Sequence, residues 1–316
     1  MSESRSNWVP RSLSIVIPIC NEAENAKDLV EATTLAARDL EIPFELILVD
    51  DGSSDSTASV LQGLRDDFPE LVVVRLRRNF GQTLALLAGL DRSRGEAIVT
   101  MDGDLQNDPA DIPILLEELR RGADAVSGWR RNRKDGIMRL LPSQVANWLI
   151  RRLTRVDIHD QGCALKAYRG DLVRSLELYA DMHRFIATLT LPLGARIVEV
   201  EVRHHPRVAG TSHYGVSRVF PVLADLFTLQ MLTRFREWPL RWFTVLAIPF
   251  LIASTLASGM AFLGDPHTTV IWASVSFLTI STFGSCLLLG LLGEAALESA
   301  GPTRSRPIIH RQWSAE

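Results

Sequence analysis

Two aspartates one residue apart, Asp102 and Asp104, close an apolar run that reads Ile98-Val-Thr-Met-Asp102-Gly-Asp104-Leu-Gln106. A strand that runs straight into carboxylates delivers oxygen ligands to the carboxyl edge of a sheet, where α/β proteins bind their ligands. Two such groups suit a hard cation, Mg2+ or Mn2+, held by few protein atoms and completed by a diphosphate. A second acidic pair, Asp50-Asp51, follows Leu46-Ile-Leu-Val and would reach the same edge ahead of Gly52-Ser53. Either pair alone reads equally as a turn with a helix cap; two on strand ends, each before a helix, point to a metal and nucleotide site. Two shorter segments belong with them. Ile17-Pro18-Ile-Cys-Asn21-Glu22 ends a first strand in a polar turn, where Glu22 by itself is equally a first-turn helix acid. Arg78-Asn-Phe-Gly-Gln82 is a polar turn entering a helix.

The elements that must position these residues alternate. Strands are predicted over Leu13–Ile19, Phe44–Val49, Leu71–Leu76, Ala97–Met101 and Ala123–Gly128. Helices are predicted over Glu22–Leu40, with Asn21 as its cap, and over Asp55–Phe68, Gln82–Leu90 and Ile112–Arg121. Such β-α alternation predicts a parallel sheet with helices on both faces. The second half is less regular: a basic loop at Arg130–Gly136, a helix over Ile137–Leu153, a strand at Ala164–Tyr168, a helix from Asp171 to Leu178, a strand over Arg196–Arg203 and a polar loop from Arg207 to Tyr214. From Val216 to Trp238 the spacing of Phe220, Leu223, Phe227, Met231 and Phe235 predicts an amphipathic helix of the kind that lies at a bilayer interface.

Across 316 residues the net charge is −3, which gives no global basis for a nucleic-acid partner. Hydrophobic residues make up 47%, and the excess is localised. Trp242–Gly264 and Val270–Gly293 carry no formal charge, and at about 1.5 Å per residue each can cross a hydrocarbon core of roughly 30 Å. Only Asp265-Pro-His-Thr-Thr269 separates them, so a tight transmembrane hairpin is predicted. Arg234, Arg236 and Arg241 precede it, Arg304, Arg306 and Arg311 follow it, and its loop has no Lys or Arg; the positive-inside rule then puts both termini in the cytoplasm. Residues 1–11 lack an apolar core, so no signal peptide is expected. The three cysteines, Cys20, Cys163 and Cys286, show no metal spacing and suit a reducing compartment. The expected domains are a catalytic domain over 1–215, the interfacial helix over 216–240, the hairpin over 241–294 and a tail over 295–316.

The four polar segments, in this order and spacing, resemble the family 2 nucleotide-sugar glycosyltransferases of GT-A (Rossmann-like) α/β fold. Asp160-Gln-Gly-Cys-Ala-Leu-Lys-Ala-Tyr-Arg169, Arg207-Val-Ala-Gly-Thr-Ser-His-Tyr214 and the tail Leu291-Leu-Gly-Glu294 with Arg304 and Pro307 resemble the polyprenyl-phosphate branch of that family. The likeness runs from about Ser12 to Gln312. It implies an inverting, metal-dependent transfer of a monosaccharide from a nucleotide sugar, UDP-linked rather than GDP-linked, to a polyprenyl phosphate such as undecaprenyl phosphate. The place would be the cytoplasmic face of a bacterial inner membrane, and the product a lipid-linked sugar for a cell-envelope glycan or lipid A modification. Homo-oligomers occur in the family, and a tetramer is compatible with it.

Residue by residue, the resemblance assigns Pro18, Glu22 and Asp51 to the nucleotide; Asp102, Gly103 and Asp104 to nucleotide sugar and metal; and Gln106 to the metal. It assigns Arg130 and Arg207 to phosphates, Arg139 and Ser143 to the acceptor phosphate, and Asp160 to the reacting centre. One departure is plain: the family's Ser-Lys-Tyr reads Ser212-His213-Tyr214 here, and a neutral imidazole holds a diphosphate less well near pH 7 unless phosphates raise its pKa. A phosphate acceptor with a second pKa of about 6 is largely ionised at neutral pH and needs no strong general base. It needs cations that hold two anionic reactants together. Arg130, Arg131, Arg133, Lys134, Arg139, Arg151 and Arg152 offer that charge, most of it facing solvent or headgroups, with Arg130 and Arg139 reserved for the site. A processive synthase would carry Gln-x-x-Arg-Trp before several spans, whereas Gln230-Met-Leu-Thr-Arg234-Phe is off register and two spans follow. A non-catalytic adaptor would not need Asp51, Asp102, Asp104 and Asp160 intact.

Overall fold

The computed structural model describes residues 8–131, 158–176, 182–206 and 238–299. The helix expected over Ile137–Leu153, the loop from Arg207 and the amphipathic helix from Val216 lie outside them. The described residues fall into two units, one ending before residue 227 and one holding residues 238–299.

The first unit is built on one seven-stranded sheet: β1 (Leu13–Ile19), β2 (Phe44–Asp50), β3 (Leu71–Arg75), β4 (Ala97–Thr100), β5 (Ala125–Trp129), β6 (Lys166–Arg169) and β7 (Ile197–Glu201), in the order β3-β2-β1-β4-β6-β5-β7. β1 to β4 pair in parallel, as the alternation demands. β6 runs antiparallel to both β4 and β5, which corrects the all-parallel expectation. The cause is local. β5 leaves the sheet at its carboxyl edge, and Asp160, just ahead of β6, is paired with Arg130 at that same edge. A chain that re-enters from the edge it left has made no crossover, so its strand must run back.

Helices α1 (Ala26–Arg38), α2 (Thr57–Leu64) and α4 (Ile112–Arg120) belong to one face, where Leu29, Val30, Leu61, Leu115 and Leu119 join Ile15, Ile17, Leu46, Leu48 and Val99 in a single core. Helix α3 (Gln82–Arg92) covers the other face, so close that a Cβ on Gly89 would stand 2.3 Å from Val16 Cγ1. Burial on both faces explains why β1 and β2 read as near-continuous apolar runs rather than alternating ones. Two further short helices, α5 (Gly170–Arg174) and α6 (Ile186–Leu189), belong to the described residues of this unit, α6 entered through a turn at Met182–Phe185.

One expected boundary moves for a physical reason. Helix α1 starts at Ala26, not Glu22, because Asn21 sits in the left-handed region at φ 55° and does not cap it. Its N–H donates to Ser53 Oγ at 2.9 Å and its Oδ1 accepts the Ser54 N–H at 2.9 Å, so the β1 exit loop is sewn to the β2 exit loop. Pro18 lies inside β1, as the strand predicted over Leu13–Ile19 requires. Even-numbered residues of β1 face β4, as Val16 O accepting from Met101 N shows, and the β1–β4 pairing ends at Val16 opposite Thr100. Pro18 therefore presents its missing N–H where no ladder partner remains.

The second unit is a helical hairpin, α7 (Pro239–Leu263) and α8 (Pro266–Ser299). Its turn is tighter than the predicted five residues: Pro266 already begins α8, and the Thr268 and Thr269 N–H groups donate to Asp265 O at 2.9 and 3.1 Å. Both helices are long and apolar enough to cross a membrane. Large apolar side chains such as Phe262, Leu263 and Phe277 stand outward at 90%, 84% and 74% exposure, the opposite of a buried pair in a soluble core. The helices meet through hydroxyls: Ser276 Oγ lies 3.1 Å from Ser254 Oγ and 2.6 Å from Ser258 Oγ, the type of interhelical polar contact that holds spans together in lipid.

Gly52 sets the β2 exit loop. Its φ is 65°, and a Cβ there would come within 2.3 Å of the Arg78 main chain. Gly52→Ala should therefore lower stability by about 2–4 kcal/mol, combining left-handed strain with a backbone clash. Gly63→Ala in α2, where a Cβ meets nothing within 4 Å, should raise it by about 0.5–1 kcal/mol. Thermal unfolding of the two variants side by side checks the opposite signs.

Candidate active site

Four strand exits converge on the carboxyl edge of β1–β4. The β2 exit separates its two acids by the strand's alternation. Asp50, fully buried, turns inward: Oδ1 accepts the Ser53 N–H at 2.8 Å and Oδ2 faces Arg75 Nε at 3.3 Å. Asp51 turns the other way and grips the loop before α3, its two oxygens taking the Phe80 and Gly81 N–H groups at 2.7 and 2.9 Å. Of the pair, Asp50 fixes the turn, and Asp51 fixes where the Arg78–Gln82 segment lies. Glu22, assigned by resemblance to the nucleotide, accepts Asn25 Nδ2 at 2.7 Å while its N–H donates to Thr57 Oγ1 at 3.0 Å.

The β4 exit carries the acidic motif. Asp104 is nearly buried and its Oδ1 accepts the Gln106 N–H at 3.2 Å. Leu105 takes φ 57°, an unusual value for a branched apolar residue, and this bend brings the Gln106 N–H back onto Asp104. Gly103 packs on Ile19, where a Cβ would meet Ile19 Cγ2 at 2.3 Å. Asp102 accepts Gln82 Nε2 at 2.6 Å. Burial first, and the Asp104 charge second, push the Asp102 carboxyl up to about 6. The two acids thus share one small site. Their hard oxygen donors fit a divalent cation. Among the described residues no third His, Cys, Asp or Glu joins them, which leaves coordination positions for a diphosphate and water.

Asp160 and Arg130, given separate tasks by resemblance, hold each other. Arg130 Nε donates to Asp160 Oδ2 at 2.7 Å, Nη2 to Oδ1 at 3.0 Å, and the Arg130 N–H to Oδ2 at 3.3 Å. Burial opposes the guanidinium charge, but these hydrogen bonds and the Asp160 charge outweigh it and hold Arg130 above its ordinary pKa. Glu199 Oε1 in turn accepts the Asp160 N–H at 2.8 Å. Trp129 has His159 stacked on its ring at 4.6 Å between centroids and the Arg131 guanidinium 5.5 Å from its ring centre. The segment before Arg207 is clamped beside the acidic motif: Arg203 N and Nε donate to Asp111 at 2.6 and 2.8 Å, and the His205 N–H to Gln106 O at 2.9 Å. Hydrogen bonds from His205 and Ala110 hold Asp108 below the usual carboxylate range although burial opposes them.

The structure thus gathers Asp102, Gly103, Asp104, Gln106, Arg130 and Asp160 around the β4 and β5 exits, with Pro18, Glu22 and Asp51 at the β1 and β2 exits. Arg139, Ser143, Arg207 and His213 lie outside the described residues. Sequence reasoning gave no role to Gln82, Glu199 or Lys166. The signal for Lys166 was a lysine inside the apolar run Ala164-Leu-Lys-Ala-Tyr168; Glu199, in an alternating edge strand, gave none.

Residues 14–175 match the family model described as glycosyl transferase family 2. Dodecaprenyl-phosphate galacturonate synthase of Rhizobium johnstonii is 41% identical over 292 residues, covering 89% of this chain and 86% of that protein. Undecaprenyl-phosphate 4-deoxy-4-formamido-L-arabinose transferase of Pseudomonas fluorescens is 35% identical over 297 residues, covering 93% and 87%. Among solved structures, mannosyl-3-phosphoglycerate synthase from Rubrobacter xylanophilus aligns with a TM-score of 0.55 at 15% identity, covering 71% of this chain and 75% of that one. Glucosyl-3-phosphoglycerate synthase from Mycobacterium tuberculosis, in complex with Mn2+, UDP and glucosyl-3-phosphoglycerate, aligns at 0.52 and 20% identity, covering 70% and 79%. At these identities the structural likeness speaks for the fold.

The raised Asp102 carboxyl carries a stability signature. Its folded value of about 6 lies above the unfolded value of about 3.9, so the metal-free folded state binds the extra proton in that window and loses stability as pH rises through it. Asp102→Asn should therefore unfold like the parent near pH 4 and be more stable by about 1–2 kcal/mol at pH 7.5, measured by thermal melts in chelator.

Proposed function

Because this chain belongs to glycosyl transferase family 2, we propose that it transfers a monosaccharide from a nucleoside diphosphate sugar, UDP-linked, to the phosphate of a polyprenyl lipid. The observation that carries the reading is the acid pair Asp102–Asp104 at the carboxyl edge of the sheet, whose hard oxygen donors suit a cation and the diphosphate it accompanies. The two lipid-phosphate transferases that match nearly the whole chain support a polyprenyl phosphate acceptor. The apolar hairpin supports a bilayer as the place where acceptor and protein meet. The flanking arginines of the hairpin favour the cytoplasmic face of an inner membrane.

A divalent cation bound by Asp102 and Asp104, with Gln106 beside them, would supply Lewis acidity to the diphosphate as its bond to the sugar breaks. The chain's own residues do the rest. Asp51, through the Phe80 and Gly81 N–H groups, holds the wall of the nucleotide cleft. Gln82 keeps Asp102 ionised and oriented. Asp160 stands where positive charge grows at the anomeric carbon of an oxocarbenium-like transition state. Arg130 fixes that carboxylate with two side-chain hydrogen bonds, and its guanidinium is proposed to serve the phosphates as well. The acceptor oxygen is already anionic, so the residues need only exclude water and align it for a single inverting displacement. Arg139 and Ser143 are proposed to receive the acceptor phosphate, Arg207 and His213 the donor diphosphate, and a homo-oligomer is compatible with this arrangement.

The test is direct. The full chain in vesicles containing undecaprenyl phosphate, offered a panel of UDP-sugars with Mg2+ or Mn2+, should yield one lipid-linked monosaccharide by mass. Excess chelator should abolish the product, and so should Asp104→Asn in a chain that stays folded. Full turnover in chelator would remove the metal from the reaction, and absence of any lipid-linked product across the panel would refute the acceptor class.

A further inference from the structure

Lys166 is 2% exposed, in the middle of the sheet, and none of the roles above uses it. It lies in β6 directly between Thr100 of β4 and Ser127 of β5. Two residues beyond Thr100 stands Asp102; three beyond Ser127 stands Arg130. A buried ammonium is expensive for a fold, and an apolar side chain of similar length would cost less. Burial indeed lowers the Lys166 pKa to about 8. What the ammonium obtains is two main-chain carbonyls from separate segments: Nζ donates to Gln161 O at 3.1 Å and to Arg184 O at 2.7 Å.

Each carbonyl neighbours a residue of the site. Gln161 follows Asp160, which pairs with Arg130. Arg184 follows His183, whose Nδ1 lies 2.8 Å from Thr83 Oγ1 in the first turn of α3. Thr83 follows Gln82, whose amide donates to Asp102. The contacts close a ring: Asp102, Gln82–Thr83, His183–Arg184, Lys166, Gln161–Asp160, Arg130, and back to Asp102 through β5, β6 and β4. Thr188 Oγ1, donating to Gln161 Oε1 at 3.3 Å, makes a second tie between the same two segments.

Resting on the glycosyltransferase reading, we propose that Lys166 is a positioning residue that ties the Asp160 loop to the Met182–Phe185 turn and so fixes the distance between Asp160 and Asp102. Only a long cationic side chain rising from the central strand reaches both carbonyls at once. Met keeps the stem and loses both donors; Gln offers an amide that can serve one carbonyl.

Hydrogen exchange of the full chain in detergent, with and without Lys166→Met, tests this together with steady-state transfer. Exchange in residues 158–165 and 182–189 should rise together by about 10-fold or more, while β1 and β2 stay as protected as in the parent. The kcat should fall by about 20-fold or more with donor KM within about threefold, since misalignment acts on the reacting centre. Lys166→Gln should be intermediate on both readouts, and Ser127→Ala, beside it on the same sheet face, should change neither. Unchanged exchange in the two segments overturns the proposal whatever the activity. Loosening that extends to β1 and β2 in both Lys166 variants overturns it too, because the lysine would then serve the whole fold. If the parent chain yields no lipid-linked sugar, the glycosyltransferase reading fails while the exchange result still decides whether Lys166 ties the segments.

Discussion

A partly buried carboxylate at a strand exit, with a second acid two positions on, sets the terms for this molecule. Burial, and second to it the Asp104 charge, push the Asp102 carboxyl up to about 6. Nothing in the folding of the sheet requires acids there. The loops around the site hold them in place by fixing one another. Asn21 joins the β1 exit to the β2 exit, Asp51 joins the β2 exit to the start of α3, and Gln82 joins α3 to Asp102.

The opposite wall follows the same plan with opposite charges. Arg130 and Asp160 form a two-pronged, nearly buried pair that would be a poor source of stability compared with apolar packing. Its value is geometric: a carboxylate held by a guanidinium on one side and by Glu199-bound main chain on the other cannot swing. The chain returns along β6 antiparallel because this pair brings it back at the edge it had just left. One contact therefore sets both the direction of a strand and the placing of an acid at the site.

The hairpin belongs to a different solvent. Its helices present large apolar side chains on nearly every side and meet through serine hydroxyls, a division of labour suited to hydrocarbon, where burial of apolar surface gives helices no reason to associate. On the proposed function, a bilayer-tethered catalytic unit also accounts for economy in the chemistry. An acceptor that arrives ionised needs alignment and countercharge rather than deprotonation, and the residues gathered at the sheet edge are acids, amides and arginines, with the histidines His183 and His205 occupied in holding loops.

What could be read from the chain followed from short-range rules. Period and composition gave β1 to β5, helices α1 to α4 and both apolar spans to within a few residues, because hydrophobic alternation is a local property. Asp102 and Asp104 were legible for the same reason: a strand followed by acids is a pattern in neighbouring positions. Only tertiary structure decided that Asp50 turns inward while Asp51 grips the α3 loop, that β6 runs backward, and that Arg130 and Asp160 bind each other across 30 residues. Lys166 belongs to this second group, since its partners, Gln161 and Arg184, are main-chain carbonyls that every residue possesses. Side-chain chemistry is written residue by residue, but which distant backbone groups come within 3 Å of it is fixed only when loops close and strands choose their neighbours.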